Sequence, residues 1–252
     1  MPGGGATTGA TGTGDAWQPG GMSLPASPAV LLDLDGTLVD SEPHYFTATR
    51  LLLAEHGVPD FSWEEHTSFI GIGTHETVRT LRERYGIAAP AAELLARKNA
   101  HYLRLAGGSS EVFPAMRRLV ELLHAACLPL AVASGSSPAA IDAALAGTPL
   151  DGLLPLRVSA EEVARGKPEP DVLLAAARRL DVTPADCVVL EDAPPGVEAA
   201  RRAGMRCLAV PYLAHWATDP AVASAGLVFA GGQREFDVDR AYAWIREPGS
   251  VL

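Results

Sequence analysis

From Ala29 onward the chain alternates short, continuous apolar runs with stretches whose apolar positions recur three or four residues apart. The runs are AVLLDLD at 29–35, PLAVAS at 129–134, CVVLED at 187–192, MRCLAV at 205–210 and GLVFAG at 226–231. Runs that are apolar on successive residues, spaced by helical patterns, predict parallel strands covered on both faces. The stretches between them carry helix-end signals. FPAMRRLVELLHAA at 113–126 has a proline near its start and apolar residues at 116, 119, 120 and 123, and SPAAIDAALAG at 137–147 opens with Ser-Pro and closes at Gly. PDVLLAAARRL at 170–180 and PPGVEAARRAG at 194–204 behave alike. The pattern predicts an α/β chain with a Rossmann-like, doubly wound parallel sheet.

Nearly a hundred residues, 36–128, separate the first two strands without a convincing strand between them. They contain amphipathic helical stretches such as THETVRTLRERYG and PAAELLARKNAHYLRLAG. A crossover needs one helix, so the excess predicts a small helical cap inserted after the first strand, above that strand's carboxyl end. We place the cap at 45–110 and the core at 28–44 and 111–252. Residues 1–27 are rich in Gly and Thr with almost no large apolar side chains, a composition that does not offset the entropy of ordering and predicts a disordered tail.

Composition narrows the function classes. With 252 residues the chain can build a full core, and 48% hydrophobic against 20% charged residues is that of an ordinary globular protein. Thirty acids against 20 bases, with no block of Lys or Arg, leave no electrostatic footprint for nucleic acid or an anionic membrane. No apolar run reaches the roughly 18 residues of a membrane span, and the N-terminus lacks the basic and apolar regions of a signal peptide. Cys127, Cys187 and Cys207 form no CxxC pair, which fits buried thiols in a reducing, cytoplasmic compartment. We expect a monomer without nucleic-acid or membrane partners.

The chemistry gathers where the predicted strands end. Asp33 and Asp35 lie two apart, so strand geometry aims both carboxylates the same way. Two like charges disfavour each other's ionisation, and burying them unpartnered costs more still, so a cation belongs beside them. Glu191 and Asp192 end a second run, Ser134 and Gly135 a third, and in open parallel sheets ligands bind outside these ends. Any one strand can end in a polar residue for solubility, but three doing so after wholly apolar runs is a different matter. Ser134 and Gly135 precede a helix opening at Ser137-Pro138. A hydroxyl and free backbone N–H groups there form a phosphate cradle, with serine N-capping as the alternative. Lys167 stands in GKPEP, its loop fixed by prolines, although an isolated lysine is ordinarily solvated.

DLDGTLVDSEP, VASGSS, GKPEPD and EDAPPGVEAARRAGM, in this order, resemble the four motifs of the haloacid dehalogenase superfamily, in its β-phosphoglucomutase-like phosphatase branch. The resemblance covers about 29–210 and implies a Rossmann-like core, a helical cap, Mg²⁺ and an aspartyl-phosphate intermediate. By that resemblance Asp33 is the nucleophile and Asp35 the acid that protonates the leaving alcohol and then the base that activates water. Mg²⁺ would be held by the Asp33 and Asp192 side chains and the Asp35 carbonyl, matching its preference for a few carboxylates plus substrate phosphate. Glu191 ranks below Asp192 because neighbouring strand residues point oppositely. Ser134, Gly135 and Lys167 match the phosphate-binding positions, Lys167 neutralising nucleophile and phosphate charge.

The sequence departs from the mutases of that branch. Five residues past Asp40, where they carry a histidine, stands Tyr45, with His44 one position early. Their cap arginine of a G-x-x-R loop is replaced in GIGTHET by Thr74. Without a clamp for a second phosphate, hydrolysis of sugar or polyol phosphates is favoured over phosphate transfer between hydroxyls. A hexose-phosphate mutase is the first alternative. A phospho-accepting receiver module is the second, and the long cap and Asp35 count against it.

Overall fold

The computed structural model describes residues 28–107 and 110–247. The Gly/Thr-rich tail lies outside the described residues. In chain order, β1 (Ala29–Leu32) and the short β2 (Val39–Asp40) lead into four helices, α1 (Glu42–Glu55), α2 (Trp63–Thr67), α3 (Thr74–Arg84) and α4 (Ala91–Ala106). The chain returns through β3 (Glu111–Val112), which pairs antiparallel with β2, Val39 opposite Val112, so that a two-stranded ribbon ties both ends of the insert together. The first helix of the insert opens at Glu42, with proline in its first turn.

The rest alternates strand and helix: α5 (Pro114–Ala125), β4 (Leu130–Ser134), α6 (Pro138–Leu145), β5 (Arg157–Ser159), α7 (Asp171–Arg179), β6 (Cys187–Glu191), α8 (Pro194–Ala203), β7 (Arg206–Ala209), α9 (Pro220–Ala223), β8 (Leu227–Val228) and α10 (Val238–Arg246). Six strands form one parallel sheet in the order β5-β4-β1-β6-β7-β8. β1 is central, with Val30 beside Leu130 of β4 and Val188 of β6. All five apolar runs become strands. β5 escapes the pattern because RVS is three residues long, opens on an arginine and lies at the sheet edge.

Side-chain alternation explains the continuous apolar runs. Val30, Leu32, Val132 and Val188 face a core made with Met116, Leu119, Val120 and Leu123 of α5 and with Ala241 and Ile245 of α10. Leu31, Ala131, Ala133 and Val189 face the opposite core against α7 and α8. The insert has its own core, in which Leu52 and Leu53 of α1 meet Val78 and Leu81 of α3 and Leu94 of α4. A second small cluster, Tyr45, Ala48, Tyr102 and Ala106, rests on Ala140 of α6 and seats the insert on the sheet domain. No helix among the described residues is long and apolar enough to cross a membrane.

Candidate active site

The order of the sheet brings three strand ends together, those of β1, β4 and β6. The Asp33 N–H continues the β1–β6 ladder by donating to the Leu190 carbonyl at 3.0 Å, which fixes Asp33 one residue beyond its strand. Gly36 then turns the chain in the left-handed region at φ 81°, where a side chain is strained. Asp33 and Asp35 line the same cavity, as their spacing predicts.

Lys167 reaches this point from the loop before α7. The residue is 6% exposed, and its ammonium donates to Asp33 Oδ1 at 2.5 Å and to Glu191 Oε1. Burial alone would lower its pKa, but the Asp33 and Glu191 carboxylates outweigh it and hold Lys167 above the ordinary ammonium range. Glu191 thus serves as the lysine's anchor, and it also accepts from the Asp192 N–H at 3.2 Å. Room for its carboxylate comes from Gly196 in the first turn of α8, where a Cβ would lie 1.9 Å from Glu191 Cδ.

Asp33, Glu191 and Asp192 bring carboxylate oxygens within 4.8 Å of one another, all buried. Asp192 takes a hydroxyl bond from Thr37 at 3.2 Å on Oδ1, while its Oδ2 is buried without a partner. Burial, and then the charges of Asp33 and Glu191, raise the Asp192 carboxyl well above its ordinary pKa. When all three carboxyls are ionised they exceed the single Lys167 ammonium by two negative charges, a deficit that a divalent cation matches. Space beside the orphan oxygen is kept by Gly36, whose missing Cβ would stand 2.5 Å from Asp192 Oδ2. The donor set is all oxygen, which suits a hard cation such as Mg²⁺.

Asp35 is held differently. Its Oδ1 accepts from Ser41 at 2.6 Å, and its Oδ2 accepts from Ser136 at 2.6 Å and Ser134 at 3.1 Å. Because the Ser136 proton goes to Asp35, Tyr45 donates to Ser136 Oγ, at 2.5 Å, and completes a chain of hydroxyls from the cap to the carboxylate. Ser134, fully buried, therefore turns its hydroxyl to Asp35 and accepts from the Ser136 N–H, while Gly135 and Ser136 line the cavity. Ser137 caps α6 through the Ala140 N–H. His44 has its Nδ1 buried and, among the described residues, unpartnered. α1 directs Tyr45, and not His44, into the cavity.

The cap contributes a polar wall that sequence reading did not find. The Glu42 carboxylate accepts from His66 Nε2 at 2.9 Å when that nitrogen carries the proton, and both residues are buried. Lys98 of α4 is 3% exposed, with its ammonium 4.6 Å from the centre of the Tyr45 ring, which stacks on Tyr102 at 4.0 Å. A signal for Lys98 existed: it lies four residues from Leu94 and four from Tyr102, on the buried stripe of its helix. Thr74 opens α3 and lines the cavity, and among the described residues no arginine lines it.

A family model described as haloacid dehalogenase-like hydrolase matches residues 30–210. The chain belongs to the haloacid dehalogenase-like hydrolases. Within this hydrolase family it is 34% identical over 193 residues to a phosphoglycolate phosphatase of Cupriavidus necator, covering 76% of this chain and 83% of that protein. It is 33% identical over 191 residues to the bifunctional riboflavin kinase/FMN phosphatase of Arabidopsis thaliana, which accounts for 74% of this chain but 49% of that longer protein. A crystal structure of a CbbY variant from Rhodobacter sphaeroides in complex with xylulose-(1,5)bisphosphate superposes with a TM-score of 0.71 at 28% identity, covering 83% of this chain and 99% of that one. This haloacid dehalogenase-like chain is a phosphatase.

Proposed function

We propose that the protein is a Mg²⁺-dependent phosphatase of sugar or polyol monophosphates, working through an aspartyl-phosphate on Asp33. The observation that carries this reading is the junction of two carboxyl groups with different surroundings at one strand end. Asp33 is held by a buried ammonium beside the acidic cluster, and Asp35 is held by three hydroxyls. An Asp33 oxygen attacks phosphorus as the bond to the leaving oxygen breaks, and Asp35 gives that oxygen its proton. Asp35 then takes a proton from water as water attacks phosphorus and the Asp33–phosphorus bond breaks. Lys167 and the backbone around Gly135 and Ser136 would hold the phosphoryl oxygens. The Asp33 and Asp192 side chains, with the Asp35 carbonyl, would hold the metal, which supplies charge neutralisation at the phosphate when bound.

A cap wall without arginine supports hydrolysis over transfer, since nothing there offers a fork-shaped clamp for a second phosphate. Buried, reduced Cys187 and Cys207 support a cytoplasmic setting, although Cys127 is exposed. The test is phosphate release from phosphorylated sugars, polyols and nucleotides with Mg²⁺, with Asp33→Asn as the blank. Release by wild type and none by Asp33→Asn is expected. Conversion of glucose 1-phosphate to glucose 6-phosphate, dependent on glucose 1,6-bisphosphate and with little phosphate released, would instead establish the mutase.

A further inference from the structure

The segment after β7 lies beyond the four motifs, yet it wraps the turn that follows Asp33. The Val210 N–H donates to the Glu191 carbonyl at 2.7 Å and the Tyr212 N–H to the Asp192 carbonyl at 3.1 Å, so the backbone of Tyr212 is tied to the end of β6. Its side chain reaches on to the turn. The ring lies over Gly36, where a Cβ would stand 3.3 Å from Tyr212 Cδ2, and the hydroxyl donates to Asp40 Oδ1 at 3.0 Å. Burial, and then the Asp40 charge, hold the phenol above its ordinary pKa, so it keeps the proton that it donates. Gln233 grips the same turn a second time, its amide donating to the Thr37 carbonyl at 3.0 Å, and Thr37 in turn donates to Asp192. Gly232 permits that approach: it is left-handed at φ 63°, and a Cβ there would lie 2.5 Å from the Pro211 carbonyl oxygen.

Asp40 is the last residue of β2, and its neighbour Ser41 opens α1 and donates to Asp35 Oδ1 at 2.6 Å. The connector from the sheet into the cap thus carries two hydrogen bonds on successive residues, one to Tyr212 and one to Asp35. Ser134 and Ser136 hold the other oxygen of Asp35 from the core. Asp35 is therefore suspended between core and connector, and a shift of the connector turns its carboxyl. A general acid delivers its proton only within hydrogen-bond reach of the leaving oxygen.

Resting on the phosphatase reading, we propose that Tyr212 is a positioning residue for proton transfer: it braces Asp40 against the end of β6, so that Ser41 keeps the Asp35 carboxyl directed at the leaving oxygen. Tyr212 itself touches neither substrate nor the reacting atoms. Its effect is largest where the leaving oxygen needs the Asp35 proton as its bond to phosphorus breaks. An alkoxide needs that proton, whereas p-nitrophenolate is a weak base and leaves without it.

The test compares kcat/KM, which covers the steps through loss of the leaving group, for two substrates with Mg²⁺ present. One is the sugar, polyol or nucleotide phosphate that wild type hydrolyses fastest, and the other is p-nitrophenyl phosphate. Tyr212→Phe keeps the ring over Gly36 and the N–H on Asp192 and removes only the hydroxyl. It should lower the ratio of alkyl to p-nitrophenyl phosphate kcat/KM about 3- to 10-fold, the scale of one hydrogen bond. Asp40→Ala removes the acceptor and should lower the ratio to the same degree. The double variant should fall no further than either single one, because all three break the same bond. If Tyr212→Phe fails to fold, Asp40→Ala still decides. A ratio at the wild-type value, or an equal loss on both substrates as from a general loosening of the fold, overturns the inference while leaving the phosphatase standing. Multiplication of the two single losses in the double variant overturns it as well. No phosphate release by wild type from any sugar, polyol or nucleotide phosphate overturns the phosphatase reading and this inference together.

Discussion

Replacing Gly196 by alanine sets two effects of opposite sign against each other. Alanine is better than glycine in a helix by roughly 0.5–1 kcal/mol, so at an open position Gly196→Ala would stabilise α8. Here the new methyl would lie 1.9–2.2 Å from the three carboxylate atoms of Glu191, far inside any real contact. The carboxylate must leave, abandoning Lys167 and the Asp192 N–H. Breaking a buried ion pair costs about 3–5 kcal/mol, and because Lys167 keeps Asp33 the lower end applies. Subtracting the helix gain leaves a net loss of about 2 kcal/mol, or about 4–8 °C in melting temperature for a chain of this size. Turnover should fall as well, by about tenfold or more, because the ammonium proposed to hold the phosphate loses one of its two anchors. Thermal unfolding and p-nitrophenyl phosphate hydrolysis measure both. Gly152→Ala, at an exposed glycine with nothing within 4 Å of a Cβ, should stay within about 0.5 kcal/mol of wild type. If Gly196→Ala melts at or above wild type and turns over normally, Glu191 is not wedged against α8 and does not position Lys167.

Gly36→Ala should raise the Mg²⁺ concentration for half-maximal activity by about tenfold or more, since the methyl fills the space beside Asp192 Oδ2 and the left-handed backbone adds about 1–2 kcal/mol of strain; a metal titration with unchanged midpoint would place the cation elsewhere. Tyr45→Phe removes the far donor of the hydroxyl chain to Asp35 and should lower kcat about 3- to 10-fold, whereas Ser136→Ala, which strips a donor from the carboxylate itself, should cost about 10- to 100-fold; equal effects in kcat would break the chain into unrelated contacts. Because burial depresses Lys98 to about 8, its ammonium is charged below that pH and lost above it. Facing Glu42, Asp35, His66 and Tyr45, it is the cap-side cation of the cavity, so KM for sugar and polyol phosphates should rise between pH 8 and 9. A flat KM across that window, read against the p-nitrophenyl phosphate profile, would remove Lys98 from recognition.

The core of the fold was legible because its signal is local. A strand buried on both faces has to be apolar at successive residues, and β1, β4, β6, β7 and β8 all announce themselves that way. α5 does so by its buried 116, 119, 120 and 123 positions. β5, three residues at the edge and opening on Arg157, carries no such burden and left no trace. The residues at the strand ends were equally legible, since Asp33, Asp35, Ser134, Glu191 and Asp192 each follow an apolar run directly. Sequence could not say what each oxygen touches. Neighbours on β6 were expected to point apart, yet Glu191 and Asp192 join one cluster because the chain leaves the strand between them, and Lys167 claims the first while leaving an oxygen of the second bare. Of the cap wall only Lys98 left a trace, on the buried stripe of its helix. Glu42, His66 and Lys98 lie on three helices, the first two residues 24 positions apart, and only the packing of α1 against α4 and of both on α6 turns them toward one cavity. Local periodicity fixes which face of a helix is buried, but the partner of a buried charge is chosen by distance in space.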